Sequence, residues 1–205
     1  MSDTRVFLGA MAAGLAAIGV AGFLYMQSTQ GAVASEDGPG PNLVIEVAGE
    51  AANGTVVIDL LPEIAPKHVA QITELARIGA YDNVVFHRVL DGFMAQTGDV
   101  KFGKWGEDLS MAGTGKSDLP NIPAEFSDHS FQRGVVGMAR SSNPNSANSQ
   151  FFIMFAPGEF LNGQYTVVGH VISGMEVVDA IKKGTSDLNG AVPDPDRMVR
   201  VTVEE

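Results

Sequence analysis

The sequence predicts a mainly β domain, in which a closed or sandwiched antiparallel sheet carries two helices at its periphery. Many short runs rich in Val, Ile and Phe are separated by turn-forming residues, as is typical of β-strands. Only two segments show a helical pattern, and they lie far apart in the chain. Strands and helices do not alternate strictly, so we do not expect a doubly wound parallel sheet.

The strand candidates are short, and turns or loops separate them. They are Leu43–Ala48, Thr55–Leu60, Val84–Leu90, Gly92–Asp99, Gly134–Ala139, Ser149–Phe155, Thr166–Ile172 and Met198–Glu205. A long loop between Val100 and Arg133 interrupts them, and loops of this length are usually functional or mobile.

The two helix candidates have different start signals. Pro66 opens the first, and Val69, Ile72 and Ala76 follow at helical spacing, with Gly79 suited to the C-cap. The second is predicted to begin at Ser173, since Glu176 stands three residues later as in a capping box. Lys182 and Lys183 would then lie in its last turn and Gly184 beyond its end.

Length and composition exclude several classes of protein. The chain has 205 residues, and about 170 remain without an apolar leader, which suits a single domain. Hydrophobic residues make up 45% and charged residues 18%, as in a folded globular protein. The formal net charge of -11 argues against binding to nucleic acid or to anionic lipid. The absence of Cys excludes disulfides, Cys–zinc sites, iron–sulfur clusters and thiol catalysis.

An uncharged apolar run, Val6–Met26, precedes the domain and is long enough to span a bilayer as a helix. Arg5 lies before the run, and Glu36 and Asp37 lie after it. This charge pattern predicts that the N-terminus stays in the cytoplasm and that the rest of the chain is exported.

Two alternatives remain open for this leader, residues 1–34. The length of the apolar run favours a retained membrane anchor, whereas the triplet Ala32-Val33-Ala34 has the form of a signal-peptidase site and favours cleavage near Ala34. Both alternatives place the domain, residues 42–205, outside the cytoplasm. Residues 35–41 are rich in Gly, Pro and acidic side chains and are predicted to form a linker.

Two common site motifs are incomplete. The segment Gly113–Ser117 suggests a phosphate-binding loop, but Ser110 stands where the motif needs Gly and Pro120 opposes a following helix, so we expect a flexible surface turn. The His residues do not show the spacing of metal ligands, and we expect structural or surface roles for them; they are His68, His87, His129 and His170.

The segment Phe86–Asp99 places one cation, Arg88, on an otherwise apolar strand. Burying an arginine is costly without a partner, so it is either paired with a carboxylate at a strand end or has a functional role. Strand alternation would put Met94 and Gln96 on one face and Phe93 on the other, unless a bulge redirects one of them. In the second informative segment, Met138–Val171, the residues alone favour Phe152 and Phe160 as core aromatics.

Together, these two segments resemble the cyclophilins, which are peptidyl-prolyl cis–trans isomerases. The resemblance covers roughly residues 42–203, and two long motifs in the right order and at the right separation are highly specific. It implies an eight-stranded closed antiparallel β-barrel capped by two α-helices, with the active groove on its outer surface. Here the barrel would follow an N-terminal apolar helix.

The resemblance also implies the site residues. Arg88 matches the catalytic arginine, and Phe93, Met94, Phe152 and Leu161 match the proline pocket. Gln96 and Gln150 match the amide ligands, and Ala139 and Arg140 match the segment that contacts the substrate main chain. The predicted catalytic residues are therefore Arg88, Phe93 and Gln96, and the predicted substrate-binding residues are Met94, Ala139, Arg140, Gln150, Phe152, Phe160, Leu161 and Tyr165.

The sequence departs from the family at a few of these positions. Phe160 replaces a frequent Trp, Tyr165 replaces a frequent His near the pocket rim, and Thr97 replaces a common Gly. The loop from Arg140 to Asn148 is one residue longer than in the eukaryotic pattern. Since the family's Trp donates its indole N–H to cyclosporin-type ligands, Phe160 predicts weak cyclosporin binding.

The implied function is isomerisation of X–Pro bonds in unfolded or flexible exported polypeptides, which assists their folding, in the bacterial periplasm. The reaction makes and breaks no covalent bond, so we expect neither a metal nor another cofactor, and we expect a monomer. Two alternatives are a non-catalytic module that binds proline peptides on the same barrel, and an unrelated exported β-barrel that binds a small ligand. Arg88 argues against the first, and the two long motifs argue against the second.

Overall fold

Nine strands form one antiparallel sheet in the computed structural model, which describes residues 36–205. The strands are β1 (Asn42–Ala48), β2 (Gly54–Leu60), β3 (Val84–Val85), β4 (Arg88–Leu90), β5 (Met94–Thr97), β6 (Val135–Met138), β7 (Phe151–Met154), β8 (Val167–Ser173) and β9 (Arg197–Glu204). Their order across the sheet is β3-β9-β1-β2-β8-β6-β7-β5-β4. The mainly β class is therefore confirmed.

The expectation of a closed eight-stranded barrel is wrong. The sheet curls but stays open between β3 and β4, since no ladder joins these two edge strands. The predicted strand Val84–Leu90 is interrupted at Phe86 and His87, so its start pairs with β9 and its end pairs with β5. At this break the N–H of Phe86 donates to the carbonyl of Asp196. The backbone groups that could have closed the sheet are thus used by the loop before β9.

Two α-helices are present in residues 36–205, as predicted: α1 (Pro66–Arg77) and α2 (Met175–Ala180). In α1, Pro66 occupies the first turn and the apolar stripe, including Val69 and Ile72, is buried. The first turn carries no acidic residue of its own; the carboxylate of Glu125 accepts from the N–H groups of Lys67 and His68, at 3.1 Å each. Glu125 therefore supplies a cap from a distant loop, where the helix dipole favours a negative charge.

The second helix differs from its prediction at both ends. Ser173 is the last residue of β8, and Gly174, in the left-handed region with a φ of 84°, is the N-cap. No side chain caps the helix, so the predicted capping box does not form. The helix ends at Ala180, before Lys182 and Lys183, because Ile181 adopts an extended conformation.

Two hydrophobic clusters lie on the sheet. The larger contains Ile45, Ile58 and Phe151 and includes the buried stripes of both helices. The smaller contains Met94, Phe131, Phe152 and Leu161. The strands β5, β6 and β7 contribute to both clusters, because successive side chains of a strand point to opposite faces.

Predictions about the leader cannot be compared with this fold. The apolar run 6–26 and the triplet 32–34 lie outside the described residues. Of the linker, residues 36–41 are described: they have no regular structure, and the N–H of Gly38 donates to the carboxylate of Asp59 at 3.1 Å. Neither helix within 36–205 has the length and apolar character needed to cross a bilayer.

Candidate active site

A groove of about 280 Å³ lies over the smaller hydrophobic cluster. Ten of the eleven predicted site residues line it: Arg88, Phe93, Met94, Gln96, Ala139, Arg140, Phe152, Phe160, Leu161 and Tyr165. The eleventh, Gln150, lines an adjacent cavity that shares Gln96, Ala139 and Arg140 with the groove. The fold thus brings the predicted residues together from five separate stretches of chain.

One side of the groove is the apolar wall, which consists of Phe93, Met94, Phe152, Phe160 and Leu161. Met94 and Phe152 lie on the paired strands β5 and β7, and both side chains are buried. The ring of Phe152 stacks on Phe131, with 5.8 Å between centroids. The floor of the groove is therefore part of a packed core, which fixes its shape before any ligand arrives.

Two aromatic residues of the apolar wall depart from the strand and core predictions. Phe93 precedes β5 in a turn, where its N–H donates to the carbonyl of Leu90, so strand alternation does not apply to it. It faces the groove together with Met94 and Gln96. Phe160 is 67% exposed, so its interpretation as a core aromatic is wrong. Its ring packs against Phe93, with 5.5 Å between centroids, and forms the outer edge of the groove.

The other side is the polar wall, which consists of Arg88, Gln96 and Gln150. Arg88 lies on the edge strand β4 directly opposite Gln96 on β5. Its Nη1 donates to Oε1 of Gln96 at 3.3 Å, and the Nε2 of Gln96 donates to Oε1 of Gln150 at 2.9 Å. The ion pairs found within residues 36–205 do not include Arg88. The structural alternative, an arginine neutralised by a carboxylate, is therefore not what the described residues form.

The polar wall continues into the loop Gly113–Gly115. The Nε2 of Gln150 donates to the carbonyls of Gly113 and Gly115, at 3.0 and 2.8 Å. The N–H groups of the same two glycines donate to Oδ2 of Asp99, at 2.7 and 2.8 Å. Asp99 is fully buried, and its other oxygen accepts from the N–H groups of Lys101 and Phe102. A buried carboxylate with four donors thus anchors the support of Arg88.

This arrangement corrects the prediction of a flexible turn at Gly113–Ser117. The N–H groups of Gly113 and Gly115 do form an anion-binding arrangement, but the anion is the carboxylate of Asp99 from the same chain. Gly113 has a φ of +94°, and a Cβ there would lie 3.0 Å from the ring of His87. The loop is therefore held at its glycines, where no other residue fits without strain.

Comparison with known proteins agrees with this geometry. Residues 43–203 match the family described as "Cyclophilin type peptidyl-prolyl cis-trans isomerase/CLD". The chain belongs to the cyclophilin family. A "Probable peptidyl-prolyl cis-trans isomerase" of Brucella suis is 63% identical over 154 residues, which are 74% of this chain and 79% of that protein. A "Peptidyl-prolyl cis-trans isomerase-like 1" of Aspergillus fumigatus is 32% identical over 169 residues, which are 80% of this chain and 98% of that protein.

Solved cyclophilin structures share the fold. The cyclophilin AquaCyp293 from Hirschia baltica superposes with a TM-score of 0.65 at 27% identity, covering 81% of this chain and 74% of that one. A cyclophilin from Cryptosporidium parvum, crystallised in the presence of the dipeptide Ala-Pro, superposes with a TM-score of 0.66 at 24% identity and covers 80% and 99%. The chain is an enzyme of the peptidyl-prolyl cis–trans isomerase class.

In this cyclophilin, Arg140 and Tyr165 close one end of the groove. The guanidinium of Arg140 lies over the ring of Tyr165, 4.3 Å from its centroid, and also donates to the carbonyl of Gln164. Tyr165 in turn packs edge-on against Phe152 at 5.9 Å. The N–H of Ala139 is used by the carbonyl of Gln150, whereas the hydrogen bonds found in residues 36–205 do not include the N–H of Arg140. That N–H is available to a bound main chain.

Burial changes the acid–base properties of two neighbouring residues. It lowers the pKa of Arg88 from its ordinary value, while Tyr165 acts in the opposite direction. Burial also lowers the pKa of His87 to about 4, against the opposing effect of the Asp99 carboxylate. His87 is therefore neutral at physiological pH.

Three residues that matter for the polar wall escaped the sequence analysis. Asp99 closes a strand-like motif, and nothing in its neighbours indicates four donors. Gly113 could be suspected only from the incomplete phosphate-loop pattern. Asn189, whose main-chain and side-chain oxygens both accept from Arg88, has one signal: the Asn189-Gly190 pair, which is typical of a turn.

Proposed function

We propose that this cyclophilin accelerates rotation about X–Pro bonds in exported polypeptides and thereby assists their folding. One observation carries the proposal: neutral partners hold the guanidinium of Arg88 in the polar wall of the groove, opposite the apolar wall. The groove lies at the protein surface with the exposed Phe160 at its outer edge, which suits extended or unfolded segments of varied sequence.

The chemistry requires only that the protein bind the twisted amide more tightly than the planar one. The barrier to rotation is about 18–20 kcal/mol, because amide resonance must be broken. Uncatalysed exchange takes tens of seconds or longer. A turnover near 10³ per second needs an acceleration of roughly 10⁴–10⁵, or about 6–7 kcal/mol.

Arg88 would supply a large part of this stabilisation. On twisting, the prolyl nitrogen loses conjugation and gains a lone pair, to which an N–H of the guanidinium can donate. Arginine stays charged at any working pH. The amides of Gln96 and Asn189 occupy some of its donors without neutralising its charge, and other donors remain for the substrate.

The rest of the groove would hold the two sides of the bond. An apolar pocket that would hold the pyrrolidine ring is lined by Phe93, Met94, Phe152 and Leu161. The main chain at Arg140 would bind the substrate's backbone, so that one side of the X–Pro bond is fixed while the other rotates.

The isomerase function is tested with a protease-coupled assay on a proline-containing tetrapeptide. Catalysis that depends on Arg88 supports the proposal. Binding of the peptide by the folded wild type without any acceleration would instead favour the alternative of a non-catalytic proline-binding module.

Export to the bacterial periplasm is part of the proposal, and its support is the apolar run 6–26 followed by the polar linker 35–41. A fusion of residues 1–40 to a reporter that is active only outside the cytoplasm should be active. An intact but silent fusion in the cytosol would refute export. The intact mass of the native protein decides between a retained anchor and cleavage near Ala34.

A further inference from the structure

A turn far away in sequence holds the guanidinium of Arg88 from the side opposite Gln96. The Nε of Arg88 donates to the main-chain oxygen of Asn189 at 3.0 Å, and Nη2 donates to Oδ1 of the same residue at 3.0 Å. The contact to Gln96 is longer, at 3.3 Å. Among residues 36–205, Asn189 therefore provides two of the three oxygen acceptors that fix the arginine.

The turn is itself fixed to the strand that carries the arginine. The N–H of Val89 donates to the carbonyl of Gly190 at 2.8 Å, and the N–H of Gly184 donates to the carbonyl of Val89 at 2.9 Å. Arg88 and Asn189 are thus attached to two segments that are hydrogen-bonded to each other beside the guanidinium. These hydrogen bonds fix the position of Asn189 relative to Arg88, which a loop without contacts to β4 would not do.

The conformation of Asn189 explains why an asparagine suits this place. Its φ of 52° lies in the left-handed region, which Asn tolerates better than most residues with a side chain. Its main-chain oxygen and its Oδ1 both reach the same guanidinium. Glycine would adopt the backbone but lack Oδ1, and alanine would lack Oδ1 and strain the backbone.

We propose that Asn189 is a positioning residue for Arg88: it fixes the plane of the guanidinium so that a remaining N–H points at the prolyl nitrogen. The inference rests on the proposed role of Arg88 in catalysis. A free arginine side chain loses rotamer entropy when it is fixed, so a side chain that is already fixed before substrate binds does not add this cost to the activation barrier. As an amide, Asn189 does this without cancelling the positive charge.

The first test compares Asn189→Gly with Asn83→Gly. Asn83 also has a positive φ, of 58°, but does not line the groove, so the pair controls for the effect of glycine on the backbone. We expect Asn189→Gly to lower kcat about tenfold, the scale of one lost hydrogen bond to a charged group, with KM nearly unchanged. Asn83→Gly should leave both constants unchanged.

A double-mutant cycle and a spectroscopic measurement complete the test. In an Arg88→Ala background, Asn189→Gly should have no further effect on the residual rate, because the residue acts through the arginine. In NMR spectra of protein with ¹⁵N-labelled arginine, rotation about Cζ–Nη2 of Arg88 should be slow in the wild type, faster in Asn189→Gly and slow again in Asn189→Asp.

The outcomes separate the inference from the function on which it rests. Unchanged kcat and unchanged guanidinium rotation in a folded Asn189→Gly variant would overturn the positioning role. Full turnover in a folded Arg88→Ala variant would remove Arg88 from the mechanism, and a folded wild type without isomerase turnover would overturn the proposed function. The NMR comparison would still decide whether Asn189 holds Arg88.

Discussion

The apolar and polar walls face each other across a few ångströms, but they are stabilised in different ways. Phe152 and Met94 in the apolar wall are core residues, and the cluster beneath them also contributes to the stability of the fold. The polar wall consists of half-buried side chains held by directional hydrogen bonds that end on the buried Asp99. Changes to the buried residues of the apolar wall should therefore alter both the stability of the fold and the binding of substrate. Changes in the polar wall should alter turnover with little effect on stability.

The largest expected effect comes from truncating the apolar wall. Phe152→Ala should lower the free energy of unfolding by about 3–5 kcal/mol, because it removes a buried ring that packs on Phe131 and Tyr165. It should also raise KM, since the ring lines the proposed proline pocket. Urea denaturation and the isomerase assay measure the two effects.

The matched control for this prediction is Phe126→Ala, the same truncation at an exposed position. It should change stability by no more than about 0.5 kcal/mol. If Phe152→Ala were as stable as this control, the idea that the pocket floor is a structural core would be wrong.

The polar wall should give the opposite signature. Arg88→Ala should lower turnover about 10²–10³-fold, as removal of a preorganised donor does in other enzymes, while the domain stays folded. Arg88→Lys should also be poor, because a compact ammonium cannot reproduce the planar fork held by Asn189 and Gln96.

Arg200→Ala, at an exposed position on β9, is the control for removing a strand arginine. It should retain wild-type turnover. Near wild-type turnover in a folded Arg88→Ala variant would remove Arg88 from the mechanism and with it the distinction between the two walls.

The two walls also differ in how far the sequence predicts them. The apolar wall could be assigned from the two cyclophilin-like segments, because Phe93, Met94 and Phe152 lie within the motifs themselves. The sequence does not predict how all the side chains of this wall are oriented or buried. Phe93 lies in a turn rather than on β5, and the exposed Phe160 cannot be distinguished from a core aromatic.

The sequence predicts the residues of the polar wall but not the residues that hold them in place. Arg88, Gln96 and Gln150 lie in the motifs, but their supports do not. Asn189 is separated from Arg88 by 101 positions, and the Asp99 carboxylate reaches Gly113 and Gly115 only through the folded loop. The sequence also does not predict the strand pairing here, because the break at Phe86 and His87 depends on a hydrogen bond to the distant loop before β9.

The third prediction concerns His87, which lies behind the polar wall against Gly113. Burial lowers its folded-state pKa from 6.5 to about 4, so below pH 6.5 the unfolded chain binds more protons than the folded one. Stability from this group is present above pH 6.5 and is lost as the pH falls towards 4. At about 1.36 kcal/mol for each pKa unit, the loss approaches about 3 kcal/mol.

The test compares the free energy of unfolding of the wild type and of His87→Gln at pH 7 and pH 4.5. The charged groups near His87, which are Asp99 and Arg88, are unchanged in the variant. The difference between the two proteins in how much unfolding free energy they lose from pH 7 to pH 4.5 therefore reports on the histidine. The wild type should lose more stability than the variant over this interval. Equal losses would show that His87 is not held neutral by the fold.

The smallest expected effect on catalysis comes from the outer edge of the apolar wall, where Phe160 is 67% exposed and touches Phe93 rather than the core. Compared with the family's frequent Trp, Phe160 lacks an N–H donor and has a smaller apolar face. A lost hydrogen bond weakens binding by about 0.5–1.5 kcal/mol, and the smaller ring buries less area at about 25 cal/mol per Å². We therefore expect cyclosporin to bind about 2–3 kcal/mol more weakly than to a Trp-containing groove, which is roughly 30- to 150-fold.

Phe160→Trp should recover this affinity with little change in turnover, since Arg88 and the buried pocket residues stay the same. Cyclosporin titration of the wild type and of Phe160→Trp in one isomerase assay measures both the inhibitor affinity and the turnover of each form. Tight inhibition of the wild type, or no gain in Phe160→Trp, would show that this edge does not contact the ligand as assigned.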